Sequence, residues 1–263
     1  MTHILYQVDA FTEEPFKGNP AGVCLLEEPQ PDAWMQNLAT EMNLSETAYL
    51  LPEGNEWRLR WFTPKVEVDL CGHATLASAK VLFEIQPSLR SSPILFQTRS
   101  GELRARWADG AVELDFPTMH YQPLEITPYI IDVLGFTPTG AVFSGNYFLF
   151  EAADEAFIRE FTPDIPKIES LLMPEVIITA QSMDPQFDFI SRFFAPQLGV
   201  DEDPVTGSAH CLLTPYWTAK LGKSELAAYQ ASQRGGRLHL RLTGDRVRIM
   251  GEAKIIFKAD VLV

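Results

Sequence analysis

The chain has no run of about 18 uninterrupted apolar residues, so no membrane-spanning helix is expected. Its start, from Met1 to Asp9, lacks a basic region followed by an apolar one and reads as a first β-strand, not a signal peptide. Cysteine is scarce: Cys24, Cys71 and Cys211 form an odd set without framework spacing, which fits reduced thiols in a cytoplasmic protein. Positive charge is also short. The 21 Lys and Arg against 35 Asp and Glu leave a net charge of −14. A surface this acidic repels phosphate backbones and anionic lipid, which argues against nucleic-acid and membrane partners. A small anionic ligand stays open if local donors, such as helix N-termini, outweigh the global field. No Gly-x-Gly-x-x-Gly or Walker-type loop occurs, which argues against a nucleotide cofactor, and the Gly-x-Ser-x-Gly elbow is absent. There is no low-complexity segment or long linker.

What is there is an ordinary globular composition: 263 residues, 46% hydrophobic and 21% charged. Alternating apolar residues at 4–8 and a short apolar run at 21–26 predict strands, with further strands at 48–51 and 58–62 and a meander over 94–116 with turns at Ser100-Gly101 and Asp109-Gly110. Trp34, Leu38 and Met42 share a face of a helix from Asp32, whose side chain is the expected N-cap. From Ala74 to Phe83 nearly every residue is small or apolar, which predicts a helix buried on almost all sides, opening at Gly72. Later, helices are expected at 128–134, with Gly135 as C′, at 155–161, and at 208–221, where Pro215 should kink or divide it. Strands are expected at 141–143, 147–152, 176–180, 187–194, 238–242, 247–250 and 255–263.

An internal repeat runs through the chain. Arg60-Trp61-Phe62-Thr63-Pro64 recurs as Arg192-Phe193-Phe194-Ala195-Pro196, Gly72-His73-Ala74 as Gly207-Ser208-Ala209, and Gly18-Asn19 as Gly145-Asn146. All three spacings are close to half the chain. The expected fold class is α+β: two similar domains, each a curved β-sheet or barrel around a central helix, with the active site in a cleft between them. The expected bounds are 1–117 and 118–254.

The chemistry is sought where the two halves match. Helix starts at Gly72 and Gly207 offer unpaired N–H groups and partial positive charge, a cradle for a carboxylate or developing oxyanion. Either glycine alone could simply permit a tight turn. Glu46 is the candidate base, since a carboxylate near an apolar cleft holds its proton to higher pH. As a lone Ser-Glu it also reads as a cap or a surface residue. Its counterpart in the second half is sought near Ile178 and is not acidic there. His73, in the first helical turn, is expected neutral. Asp203 lies in the acidic loop before the second helix, as a site residue or a cap, and Ser208 offers a hydroxyl or a backbone N–H. Cys71, His73, His210 and Cys211 are all metal-ligand types, but Cys-x-His and His-Cys are not structural zinc spacings, so no metal is assigned.

Six pieces together resemble the PhzF-like family, the phenazine-biosynthesis isomerases related to diaminopimelate epimerase. They are Asp9-Ala10-Phe11, Gly18-Asn19-Pro20, the run from Asn43 to Thr47, Phe62-Thr63-Pro64, the run from Asp69 to Thr75, and the run from Glu202 to Ala209. The resemblance implies the epimerase-type fold, a return of the last strand, 255–263, to the first domain, no cofactor and, in many members, dimers. In the family's isomerase a glutamate moves a proton between two carbons of trans-2,3-dihydro-3-hydroxyanthranilate. That glutamate matches Glu46. The polar residues that hold substrate or relay protons match His73, Asp203 and Ser208; Gly72 and Gly207 match the carboxylate-binding helix starts, and Asn19 joins the substrate-binding residues. The related epimerases carry a thiol before each glycine, whereas this chain has Cys71 and Thr206, which disfavours a thiol pair and leaves Cys71 as a remnant or packing residue. The resulting expectation is a cofactor-independent isomerase of a small carboxylate-bearing metabolite, cytoplasmic and homodimeric. The alternatives are a racemase or epimerase using two bases such as Glu46 and Asp203, and a non-catalytic binding protein.

Overall fold

The computed structural model describes residues 3–171 and 173–263; Met1 and Thr2 of the first predicted segment lie outside them. The chain divides into two units, one running up to Phe116 and resuming over Arg248–Val263, the other Pro117–Val247. In the first stretch the elements are β1 (His3–Ala10), β2 (Asn19–Leu25), α1 (Asp32–Met42), β3 (Glu46–Glu53), β4 (Glu56–Phe62), β5 (Glu67–Val68), α2 (Gly72–Ile85), β6 (Ile94–Thr98), β7 (Gly101–Ala108) and β8 (Ala111–Pro117). The second unit begins with β9 (Gln122–Pro123), α3 (Pro128–Leu134), β10 (Gly140–Ser144), β11 (Tyr147–Glu151), α4 (Glu155–Glu160) and α5 (Ile165–Ser170). It continues with β12 (Glu175–Gln181), β13 (Phe189–Ala195), β14 (Val200–Asp203), α6 (His210–Leu221), β15 (Glu225–Gln230) and β16 (Gly236–Thr243). β17 (Arg246–Gly251) spans the boundary, and β18 (Ala253–Val261) belongs to the first unit.

The repeat is written in the strand pairing. In the first unit β1–β2 is antiparallel, β2–β3 parallel, β3–β4 and β4–β5 antiparallel, β4–β6 parallel and β6–β7 antiparallel. The second unit runs the same series: β10–β11 antiparallel, β11–β12 parallel, β12–β13 and β13–β14 antiparallel, β13–β15 parallel, β15–β16 antiparallel. Side chains follow the pairing. Arg60 holds Glu67 through two bonds of 2.7 Å, and Arg192 holds Glu202 at 2.7 and 2.8 Å. Each guanidinium also lies 5.1 Å from the ring two residues on, Phe62 or Phe194. These paired forks tie equivalent strands, β4 to β5 and β13 to β14.

The register corrects one expectation. β3 and β4 pair Thr47 with Phe62 and Tyr49 with Arg60; β12 and β13 pair Val176 with Phe194 and Ile178 with Arg192. Ile178 is therefore the equivalent of Tyr49, and the residue equivalent to Glu46 is Glu175, the first of β12. The counterpart is acidic after all. The two copies carry loops of different length, so a constant spacing read from the Arg-aromatic motif overshoots by three residues.

α2 is buried along most of its length, as its composition predicts, and packs on β1, β2 and β3. Its hydroxyls are hidden by bonding to its own backbone: Thr75 donates to Cys71 O at 2.5 Å and Ser78 to Ala74 O at 2.7 Å. The opposite face of the first sheet carries α1, with Met35 and Ala39 against Leu5, Tyr49 and Phe62. Asp32 is not its cap; Pro31 holds that position, and Asp32 instead accepts from Arg60 at 2.7 Å. In the second unit α3, α4 and α5 fill the equivalent face, over Phe150, Ile178 and Phe194. α5 was not foreseen: at six residues with an internal proline it has no readable helical period.

The second central helix differs from expectation at both ends of the argument. Residues 207–209 form a turn of i→i+3 bonds, His210 N–H to Gly207 O at 3.1 Å and Cys211 N–H to Ser208 O at 3.0 Å, and α6 proper opens at His210. Pro215 does not divide it. The carbonyl that proline leaves without a helical donor, Cys211 O, accepts from Met119 N–H at 3.0 Å, so the helix runs through. No helix among the described residues is long and apolar enough to cross a membrane.

Candidate active site

In the first unit the chain geometry places a carboxylate beside a helix start. β2 and β3 run parallel with Ala21 opposite Glu46, the first residue of β3, so its neighbour on β2 is a methyl group. α2 begins at Gly72 after Cys71, whose backbone is extended. The turn delivers His73 to Glu46: Nε2 lies 3.2 Å from Oε2. On the other side of the ring, Cys71 Sγ lies 3.5 Å from Nδ1. Cys71 is therefore more than packing; thiol, imidazole and carboxylate form a chain.

Burial sets the protonation of that chain. His73 is only 4% exposed, and the loss of solvent lowers its pKa to about 3. The imidazole is neutral at any physiological pH, with one N–H and one lone pair. The carboxylate only accepts, which puts the proton on Nε2 and leaves Nδ1 to accept from the thiol. The N–H does not point squarely at Oε2: despite the short separation, Nε2 makes no aligned hydrogen bond among the described residues. A buried donor beside a carboxylate with its alignment unspent is open to a third group that approaches both from the side.

Asn19 supports this arrangement. It is fully buried at the start of β2, and its Oδ1 accepts from Ser45 Oγ at 3.2 Å, which anchors the residue before Glu46. Gly18, just before it, has φ +63°, and a Cβ there would meet Ala10 O at 2.1 Å, so only glycine fits. Three ligand-type atoms, from Glu46, Cys71 and His73, lie within 4.8 Å of one another. The imidazole turns its two nitrogens toward two different neighbours, a geometry for passing a proton; an ion can take only one of them.

The second unit has its own polar loop. Asp203 Oδ2 accepts from Thr206 Oγ1 at 2.5 Å, so this carboxylate braces the turn, and it does not cap α6. Gln230 locks the loop from β15: its Oε1 takes Thr206 N–H at 2.8 Å, and its Nε2 donates to Asp203 O at 2.8 Å and Thr206 Oγ1 at 3.2 Å. Ser208, two residues past Thr206, receives a hydrogen bond from Tyr147 at 3.0 Å. His210, which opens α6, binds Thr206 O through Nδ1 at 2.8 Å, and burial lowers its pKa to about 4. Cys211 beside it is buried, which pushes its thiol up to about 12. Both belong to the interior of the second unit.

Sequence reasoning missed Tyr147, Gln230 and Glu175. Tyr147 follows the Gly145-Asn146 repeat directly, but its match in the first half carries no polar side chain to flag it, and Gln230 ends a largely apolar strand. Glu175 was hidden by the unequal loops. Burial pushes the Glu175 carboxyl up to about 7.

Comparison with known proteins agrees with this fold. A family model described as phenazine biosynthesis-like protein, PhzC-PhzF, matches residues 8–259. An uncharacterized isomerase of Halalkalibacterium halodurans is 47% identical over 264 residues, covering 100% of both chains. The crystal structure of a PhzF family protein from Enterococcus faecalis superposes with a TM-score of 0.95 at 43% identity, again covering 100% of both. A hydroxyproline epimerase from Agrobacterium vitis, solved with bound trans-4-OH-L-proline, shares the fold alone: TM-score 0.63 at 13% identity, over 99% of this chain and 92% of that one. Two α+β units with one strand series, and a carboxylate set against a glycine-opened helix, thus have close relatives throughout their length, and the chain belongs to the PhzC-PhzF family of phenazine biosynthesis-like isomerases.

Proposed function

We propose that the protein moves a proton between two carbons of a small carboxylate-bearing molecule by general acid/base catalysis, with Glu46 as the base and without a cofactor. The observation that carries this is the 3.2 Å approach of Glu46 to a buried, neutral His73 whose Nε2 has no aligned partner among the described residues. The carboxylate takes the C–H proton. The electron pair left behind delocalises into the unsaturated or carboxylate-bearing part of the substrate, and Glu46 returns the proton at the second carbon. His73 donates to whichever oxygen gains charge, and stays uncharged while doing so. Asp203, Ser208 and the backbone at Gly72 and Gly207 serve as the substrate-holding groups, with Asn19 fixing the segment that carries Glu46. A hydroxyproline epimerase of the same fold holds a small cyclic amino acid, which supports a ligand of that size and charge. We place the protein in the cytoplasm as a homodimer.

The test uses trans-2,3-dihydro-3-hydroxyanthranilate, both proline enantiomers and trans-4-hydroxy-L-proline in D₂O, followed by NMR and mass spectrometry. Deuterium appearing at a new carbon is the expected result. Glu46→Gln should lower the exchange by roughly 10²–10⁴-fold. Exchange by Glu46→Gln at the wild-type rate sinks the assignment. Deuterium with inversion at the original carbon replaces it with epimerisation, and Glu46 and Asp203 are then the pair to test. If no member of this panel exchanges, metabolites retained by Glu46→Gln supply the next compounds. Light scattering at micromolar concentration checks the dimer.

A further inference from the structure

The parallel pairs β2–β3 and β11–β12 place equivalent residues side by side. Ala21 neighbours Glu46 in the first unit, and Tyr147 neighbours Glu175 in the second. Register partners lie on the same face of a sheet. In the first unit the small Ala21 leaves the carboxylate free to reach His73, the residue after the helix-opening glycine. In the second unit the equivalent place is filled by a phenol. Its hydroxyl, in place of a carboxylate, meets the residue after the glycine, Ser208, at 3.0 Å.

We propose that Tyr147 is a positioning residue: by donating to Ser208 Oγ it turns the serine's own proton outward, toward an anionic oxygen of the substrate. Ser208 has a single proton. With its oxygen accepting from Tyr147, that proton is left to donate, and among the described residues Ser208 Oγ donates to nothing. Tyr147 is held for this role by Phe193, whose ring centroid is 6.2 Å away. Burial raises the phenol's pKa, so Tyr147 remains a donor throughout the physiological range. The serine is held too, because its carbonyl accepts Cys211 N–H in the turn that leads into α6. The duplicated fold is thereby divided in chemistry. The copy that keeps a small residue beside its carboxylate supplies the base, and the copy with the phenol supplies a neutral donor.

This inference rests on the reading that Ser208 contacts substrate, and the experiment separates the two. Benzoate, a minimal carboxylate probe, is titrated into isotope-labelled full-length protein, and the Gly207 and Ser208 amide shifts are followed. The wild-type protein, Tyr147→Phe, Ser208→Ala and the double variant are compared. Tyr147→Phe keeps the ring and its packing on Phe193, so the thermal midpoint should hold. The expected result is a saturable shift in the wild type, about tenfold weaker binding in each single variant, and no further loss in the double variant. Tyr147→Phe that binds like wild type while Ser208→Ala binds weakly overturns the positioning role and leaves the Ser208 reading intact. Losses that add in the double variant assign Tyr147 an independent effect and also overturn it. Ser208→Ala with wild-type binding, or no saturable shift at Ser208 in the wild type, overturns both.

Discussion

Glu175 stands in β12 where Glu46 stands in β3, yet its neighbours give it a different task. Beside it stands Tyr147, which reaches Ser208, where Glu46 has Ala21, and Glu175 is half-buried with its carboxyl pushed up to about 7. This has a pH consequence. In the unfolded chain the carboxyl loses its proton near the ordinary 4.5; in the folded protein it keeps it until about 7. Below 4.5 both states are protonated and the group costs nothing. Between those values the unfolded state ionises first, so stability falls as pH rises, and above 7 the full cost remains. Solvent screening at a half-buried site limits that cost to about 1–2 kcal/mol. Glu175→Gln should therefore stabilise the protein by about that much at pH 8 and leave it unchanged at pH 4, read from urea unfolding at the two values. An equal change at both would show that the gain comes from packing and not from ionisation. At this scale the sequence was readable where a motif carried the residue, as for Glu46 and His73. It was not readable where only pairing does so: equivalence of Glu46 and Glu175 depends on which residues face each other across β3–β4 and β12–β13, and loops of unequal length shift that without leaving a mark in composition.

The central helices show the same division between local and non-local information. That α2 would be buried along most of its length followed from its own letters, because a run of small and apolar residues without a continuous polar face has nowhere else to go. The hairpin at Asp109-Gly110 was legible for the same reason: both residues adopt positive φ, 50° and 90°, as a tight turn between right-twisted strands demands. The behaviour of α6 at Pro215 was not legible, since the donor that rescues the helix comes from Met119, outside the helix and nearly a hundred residues earlier. A proline within an isolated helix costs about 3 kcal/mol relative to alanine. Here the orphaned Cys211 carbonyl is already satisfied, and an alanine N–H at 215 would compete with Met119 for it. Pro215→Ala should therefore change stability by less than about 1 kcal/mol, because the helical bond gained is offset by the one displaced and by the looser unfolded chain. Chemical denaturation decides this. A gain close to the full helix-interior value would mean that the Met119 bond contributes nothing.

At the scale of the whole chain, the two copies differ in how they are closed. The second unit is continuous from Pro117 to Val247. The first is interrupted: the chain leaves it at Phe116 and comes back at Arg248, and its β1 is flanked by β2 on one side and by β18 on the other. β18 pairs along all of β1, from His3 with Val261 to Ala10 with Ala253, with one irregularity between Gln7 and Val8. A strand is expected at the C-terminal end and the family resemblance implies its return to the first domain, but a strand's own residues do not state its partner, and only the tertiary pairing assigns it to β1. Deleting Ala253–Val263 would strip every backbone bond from one side of a buried strand whose Leu5, Val8 and Ala10 are almost inaccessible to solvent. The expected outcome is selective. Amides of β1, β2 and α2 should lose hydrogen-exchange protection, while those of β12, β13 and α6 keep it, because the second unit contains all of its own strand series. Residues 117–247 expressed alone should likewise give a dispersed amide spectrum, and residues 1–116 alone should not. A truncated chain that protects β1 as well as the full-length protein does would show that β2 and α2 suffice to hold the first unit, and that the returning strand is an addition to a fold already complete.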